Sequence, residues 1–281
     1  MLTRLGTLTI LLASGMLVAQ QAKDEQQVTR LVAEFGNVTK MSDAEIKTHV
    51  LANDYVHITE DGTMTTSWRI VRRTELPATM DQLNIRIFGN VATATYRWRM
   101  ADSARVSSVA QVFQRRRDGW RIIATQVAGP DPGVAGPIAA LGIVPPKNPT
   151  VAAREIHEVW ARQLLAADLK TPAGEHAEDL DTIRSIFAED CVYVNPDGSI
   201  LSREQVLARG HPQTVQLTGK QVADAVAANK FFHIDERFAV FNNVSVWTSR
   251  NPANRDQSLR VYLKRPVGWQ MVFVHHGMSL R

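Results

Sequence analysis

This sequence predicts an α+β fold built twice in tandem, and three observations predict it. The chain repeats itself at long period, each copy passes from helical to strand-like periodicity, and a Gly/Pro-rich stretch separates the copies. Leu51–Met64 matches Phe187–Ile200 without a gap, each copy carrying an Asp-Gly turn (Asp61-Gly62, Asp197-Gly198). Phe113–Thr125 matches Tyr262–Val274, with Gly119-Trp120 over Gly268-Trp269, and Ile87–Val91 answers Val240–Val244 between them. Three anchors in one order mark a duplicated unit. The domains read as 22–128 and 150–281. About half of residues 129–149 are Gly or Pro, which sustains neither helix nor central strand and reads as a linker.

In the first copy, Val28, Leu31, Val32 and Phe35 form an apolar stripe at helical spacing, and Ser42 with Glu45 spells a capping box for the next helix. In the second, Ile156, Val159, Trp160, Leu164 and Ala167 share one helical face. Leu180, Ile183, Ile186 and Phe187 make a shorter stripe. Each copy then shows a strand, the Asp-Gly turn and a further helix, capped in the second by Ser202 with Gln205. Alternating strands close each copy, at 84–88, 91–99, 106–115 and 119–127 and at 235–241, 244–250, 258–264 and 269–276. Helices first and antiparallel strands after predict helices packed on one face of a curved sheet.

The 281 residues suit two domains, and 44% hydrophobic with 21% charged residues is globular composition. A net charge of +4 raises the question of a polyanionic partner, but the surplus is small and confined to the first half, so no nucleic-acid partner is expected. Arg4, the apolar run Leu8–Val18 and the polar shift after Ala19 read as a signal peptide over residues 1–21. That run is too short to span a bilayer, so no stable membrane insertion is expected and the mature chain is expected in the periplasm or outside the cell. Cys191 is the only cysteine, which leaves both cores without an internal disulfide.

The run Phe187-Ala-Glu-Asp-Cys-Val-Tyr-Val-Asn-Pro-Asp-Gly198, the segment Ser202-Arg-Glu-Gln-Val-Leu207 and the closing Gly268-Trp-Gln-Met-Val-Phe-Val-His-His276 resemble the nuclear transport factor 2-like superfamily in its SnoaL-like, ketosteroid-isomerase-like branch. The resemblance implies a cone in each domain, three helices wrapped on a strongly bent sheet with a pocket between them. It implies no single function, because the superfamily includes isomerases, hydrolases, assembly hubs and silent binders. Ketosteroid isomerases carry a carboxylate base before the Pro that ends the first strand. Here that position holds Asn195, and Thr59 in the first domain; their second acid aligns with Arg260 and Gln111. Steroid-isomerase chemistry in that form is thereby excluded. Tyr193 and Asn195 resemble the water-holding pair of limonene epoxide hydrolase, but Met271 stands where its activating carboxylate would be.

Carrying the family's pocket-facing alternation over gives candidate site residues. In the second domain they are Trp160, Tyr193, Asn195, Arg250, Arg260, Tyr262, Phe273 and His275; in the first, His57, Thr59, Arg97, Gln111, Phe113 and Gln126. His275 would be the proton carrier, and Arg260 with Tyr262 would stabilise an oxyanion. Arg250 and Arg260 would bind an acidic ligand. His275 and His276 point to opposite faces of a strand, so no two-His metal site is expected, and no cofactor. Three readings stay open: a binder of a small, acidic organic ligand in the second domain, a lyase or isomerase using His275, and a non-catalytic assembly module. Whether the chain is an enzyme is left open. The two domains could pair within one chain as a pseudo-dimer, or two chains could form a homodimer.

Overall fold

The computed structural model describes residues 3–59, 63–66, 78–100, 106–129, 150–166, 169–170, 176–177, 179–209, 219–227, 229–245 and 255–279. Arg250, and the linker beyond Gly129, lie outside them.

The first half opens with α1 (Thr3–Gly36) and the short α2 (Asp43–Glu45), which runs into a π-helical turn, Ile46–Val50. Its strands are β1 (Leu51–Ile58), β2 (Met64–Thr65), β3 (Ala78–Phe88), β4 (Val91–Met100), β5 (Val106–Arg116) and β6 (Gly119–Ala128). The second half has α3 (Val151–Ala166), the two-residue strands β7 (Leu169–Lys170) and β8 (His176–Ala177), α4 (Leu180–Ile186), β9 (Phe187–Val194) and β10 (Ile200–Ser202). It continues with α5 (Arg203–Arg209), α6 (Gly219–Ala227), β11 (Asn229–Ile234), β12 (Phe238–Ser245), β13 (Arg255–Arg265) and β14 (Gly268–Ser279). The result is α+β, with two six-stranded sheets of identical topology. Their orders are β2-β1-β6-β5-β4-β3 and β10-β9-β14-β13-β12-β11. In each, the first long strand lies parallel to the last and the other pairings are antiparallel.

Local chemistry sets the ends of these elements. Ser42 and Glu45 close the capping box, Ser42 N donating to Glu45 Oε2 (2.7 Å) and Glu45 N to Ser42 Oγ (3.2 Å). Ser202 and Gln205 repeat it ahead of α5. The hairpins before the two tryptophans turn on Gly119 and Gly268, whose φ of 113° and 110° a side chain would resist. One sequence anchor moves. The Asn242-Asn243 pair, expected as a turn, lies inside β12. The turn falls instead at Asp235–Arg237, where Asp235 Oδ1 accepts from Arg237 N (2.7 Å) and Phe238 N (2.9 Å). This sets Phe238, not Val244, over Val91. The strand sacrifices polar satisfaction there: Asn242 is fully buried, and neither amide atom has a partner among the described residues.

Each sheet buries both faces. Its inner face takes its own helices: Val28, Leu31, Val32 and Phe35 of α1 share a core with Ala92, Ala94, Tyr96 and Phe113. Its outer face takes the other sheet, so that Ala110, Val112 and Ala124 join one apolar cluster with Leu259, Val261 and Phe273. The halves therefore pack as a pseudo-dimer within one chain.

A carboxylate on the opening helix ties each half together. Asp24 (4% exposed) accepts from Trp120 Nε1 (3.2 Å), Gln20 Nε2 (3.0 Å) and Arg115. Glu155 likewise takes Trp269 Nε1 (2.6 Å) and Lys264 Nζ (2.5 Å). Each cation also lies over its tryptophan ring. Two further ion pairs repeat beside them, Arg116–Asp54 and Arg265–Asp190. Removing Asp24 strands an indole N–H and a guanidinium. Asp24→Ala is expected to cost about 1.5–3 kcal/mol in urea unfolding, and Glu155→Ala less, because Glu155 is more exposed. Equal losses would show that burial does not set the strength of the tie.

Candidate functional site

Two β-bulges decide which side chains meet. Along β13 and β14, Tyr262 pairs with Met271 but Val261 pairs with Phe273, so Val272 is an extra residue. The first half repeats this, with Phe113 opposite Ile122, Val112 opposite Ala124, and Ile123 extra. An inserted residue reverses the alternation beyond it. Phe273 and His275, expected beside Arg260 and Tyr262, therefore lie on the outer face, and Gln126 does the same in the first half. The expected grouping of His275 with Arg260 and Tyr262 is overturned; His276 takes the inner face instead.

On the inner face of the second half, Arg260 is 6% exposed. Its Nε donates to Ser258 Oγ (2.8 Å), Nη1 lies 3.6 Å from Met271 Sδ, and the guanidinium sits 3.8 Å above the centre of the Trp160 ring. No carboxylate among the described residues forms an ion pair with it. Tyr262 donates from its hydroxyl to Gln163 Oε1 (3.3 Å) and stacks on Phe241. Burial pushes its phenol up to about 12, against the opposing pull of Arg260. Tyr193 stacks on His276 at 4.8 Å, next to the Ser258 position. Burial also raises the Cys191 thiol well above its usual range, so it is a neutral packing group. The face thus assembles a buried cation, a hydroxyl, two phenols and an imidazole among apolar neighbours.

His275, fully buried, joins the two sheets. Its Nδ1 lies 3.0 Å from Gln126 Oε1 and its Nε2 2.9 Å from Ser108 Oγ. Gln126 Oε1 also accepts from Leu259 N (3.0 Å), which fixes it as the oxygen. Nδ1 must then carry the proton and Nε2 accept from Ser108. Burial first, and His276 second, hold the imidazole down to about 3.

The remaining candidates disperse. Asn195 is spent in its turn, Nδ2 donating to Ser199 Oγ (2.8 Å) and Oδ1 accepting from Arg209 (3.4 Å). Thr59 Oγ1 donates to Thr63 O (3.2 Å), and its carbonyl accepts from Gln257 Nε2 (3.0 Å). Arg97 lies on the outer face, bonded to Gln82 Oε1 (3.3 Å) and packed near Gly198 of the other half. His57, Gln111 and Phe113 do share the inner face of the first half. There His57 sits 3.0 Å from the Tyr55 hydroxyl, and Gln111 Nε2 is 3.5 Å from Thr125 Oγ1. Ser258, Gln163, Phe241 and His276 were missed. Ser258 was within reach of alternation from Arg260, while His276 was hidden by the bulge.

No protein-family model matches the sequence, and no curated protein compared with it is significantly similar. Solved structures do match parts of it. An NTF2-like protein with a cystatin-like fold from Novosphingobium aromaticivorans is 17% identical, with a TM-score of 0.33, over 43% of this chain and 90% of that one. An NTF2-like protein of unknown function from Shewanella baltica is 11% identical, with a TM-score of 0.33, over 39% and 96%. The association domain of CaMKII from C. elegans is 15% identical, with a TM-score of 0.32, over 39% and 98%. At such distances no activity passes from them to this chain.

The buried imidazole makes stability depend on pH. An unfolded His titrates near 6.5 and this one near 3, so only the unfolded state takes up the proton between those values. Its contribution is complete above pH ~6.5 and falls towards pH ~3, by at most about 1.4 kcal/mol per pH unit. His275→Gln should flatten the fall in Tm across that window; an unchanged slope would show that other groups set the acid sensitivity.

Proposed function

We propose that this is an exported protein of the nuclear transport factor 2-like, SnoaL-like type whose second half binds a small organic anion on its inner face. The observation that carries the reading is Arg260, buried without a carboxylate partner among the described residues. A buried guanidinium is ordinarily neutralised by a paired acid. Trp160 holds the plane of the guanidinium, Ser258 takes its Nε, and only the soft sulfur of Met271 and the Tyr262 phenol lie at the other edge, whose Nη donors a carboxylate would take more strongly. Tyr193 and His276 would contact the body of the ligand. A lyase or isomerase using His275 as base loses its support, since that imidazole is sealed on the opposite face with both nitrogens bonded. As an assembly module, the chain has both outer faces already engaged with each other.

Export rests on the apolar run Leu8–Val18. The side chains of residues 18–23 are exposed, and Asp24 is the first described side chain of α1 to be buried, so cleavage near Ala19 would spare the ties to the sheet found among the described residues. Mass spectrometry of the protein from its native host should find a mature start within residues 20–22. A cytoplasmic species retaining Met1 would end the export claim.

The ligand reading is tested by calorimetry with acetate, succinate and benzoate against their amides. The carboxylates should bind and the amides should not. Arg260→Gln should weaken binding roughly 30-fold or more with only a small fall in Tm, because the Trp160 stacking is lost but no protein anion loses its partner. Equal binding of acid and amide, or a large fall in Tm with binding intact, would defeat the proposal.

A further inference from the structure

The outer faces carry information beyond their apolarity. Counting from the Gly-Trp turns places Gln126 over His275, Ala124 over Phe273, Ala110 over Leu259 and Ser108 over Gln257. Gln126 and His275 are thus counterparts, and they touch each other at 3.0 Å. A residue that meets its own counterpart lies on the pseudo-two-fold axis relating the halves. Around that axis some counterparts match, as Val112 and Val261 do, but two positions differ in size. The first half offers alanines, Ala110 and Ala124, where the second offers Leu259 and Phe273, and all four belong to one cluster.

Pairing like with like would undo both forms of fit. Two second halves would bring Leu259 and Phe273 against their own copies, an overpacked contact. Two first halves would face alanine with alanine and leave voids. On the axis, His275 donates from Nδ1 to an acceptor that only Gln126 supplies, and accepts from Ser108, whose counterpart is Gln257. Facing itself, the imidazole would need one copy to move its proton to Nε2, which would then meet Gln257 where Ser108 now donates. We infer that the outer faces are matched as unlike partners, so that each half selects the other over a second copy of itself. Specificity of this kind is a difference between two affinities, and here the wrong pairing is penalised as well as the right one favoured. Any pairing between chains through these faces would therefore also be first half with second.

The test gives the halves a free choice. A specific protease site placed within residues 130–149 allows the full chain to fold and then be cut. The cut protein is unfolded in urea, refolded by dilution and weighed by native mass spectrometry. Unlike pairs should exceed like pairs by about tenfold or more, equivalent to ~1.4 kcal/mol; a statistical mixture, or halves that stay single, overturns the inference. A second measurement uses the uncut chain and needs no refolding after cleavage. Gln126→His and His275→Gln each put like residues on the axis and should lower Tm. The exchanged double variant restores an unlike pair, though with Gln257 in place of Ser108 beside the imidazole, and should recover part of the loss, whereas additive losses overturn the inference.

Discussion

A strand shows the same face only at every second residue, and in each half the last strand breaks that rule once. Ile123 in β6 and Val272 in β14 are the extra residues, and everything beyond them is turned over. Without the bulges, Gln126 and His275 would point at their own helices, and the outer faces would lose the polar contact at their centre. With them, the N-terminal part of each last strand serves the inner face in one alternation and the C-terminal part serves the sister sheet in the other. Bulges of this kind re-aim side chains while leaving most of the ladder intact. The joint between the halves, and the place of His276 in the second half's inner site, are consequences of these two residues.

The joint is a largely apolar contact with a small polar centre. The apolar layer from Val112 and Ala124 to Val261 and Phe273 supplies its driving force, which scales with the area taken from water. The polar centre adds direction: Gln126 Oε1 takes two donors, His275 uses both nitrogens, and Gln257 reaches the carbonyl of Thr59. At its margin His233 of β11 stands 3.7 Å from Asp54 of β1, and with Arg116 it holds that carboxyl down to about 2. Polar groups buried this deeply contribute little net attraction but tolerate few alternative arrangements.

The fold was legible where chemistry is local. The capping boxes at Ser42 and Ser202, the stripe on α1 and the Gly-Trp hairpins stand in the structure as the sequence predicts them. The second-half strands failed at Asn242-Asn243, where tertiary packing overrode a pair of residues that ordinarily marks a turn, while the true turn depended on one side chain, Asp235. At the site, Trp160, Tyr193, Arg260 and Tyr262 were found because they precede the bulge or lie on other elements. Phe273 and His275 were misplaced because a single inserted residue leaves no mark in the alternation of apolar residues. The Asp24 and Glu155 ties were missed for a different reason: the carboxylates lie 96 and 114 residues from their tryptophans, and only the folded chain brings them together.

The sheet order described above sets β1 beside β6 and β9 beside β14, first strand against last. Contacts of such long sequence separation form late, because the loop must be closed before they return any energy. As the chain emerges into the compartment where it folds, the first half can therefore close only once β6 has arrived, and the second only with β14. Between those two moments the first half presents Ala110, Val112 and Ala124 to solvent with no sister sheet to cover them. That interval, rather than the finished molecule, is where the chain is most exposed to aggregation, and a holding chaperone would act there.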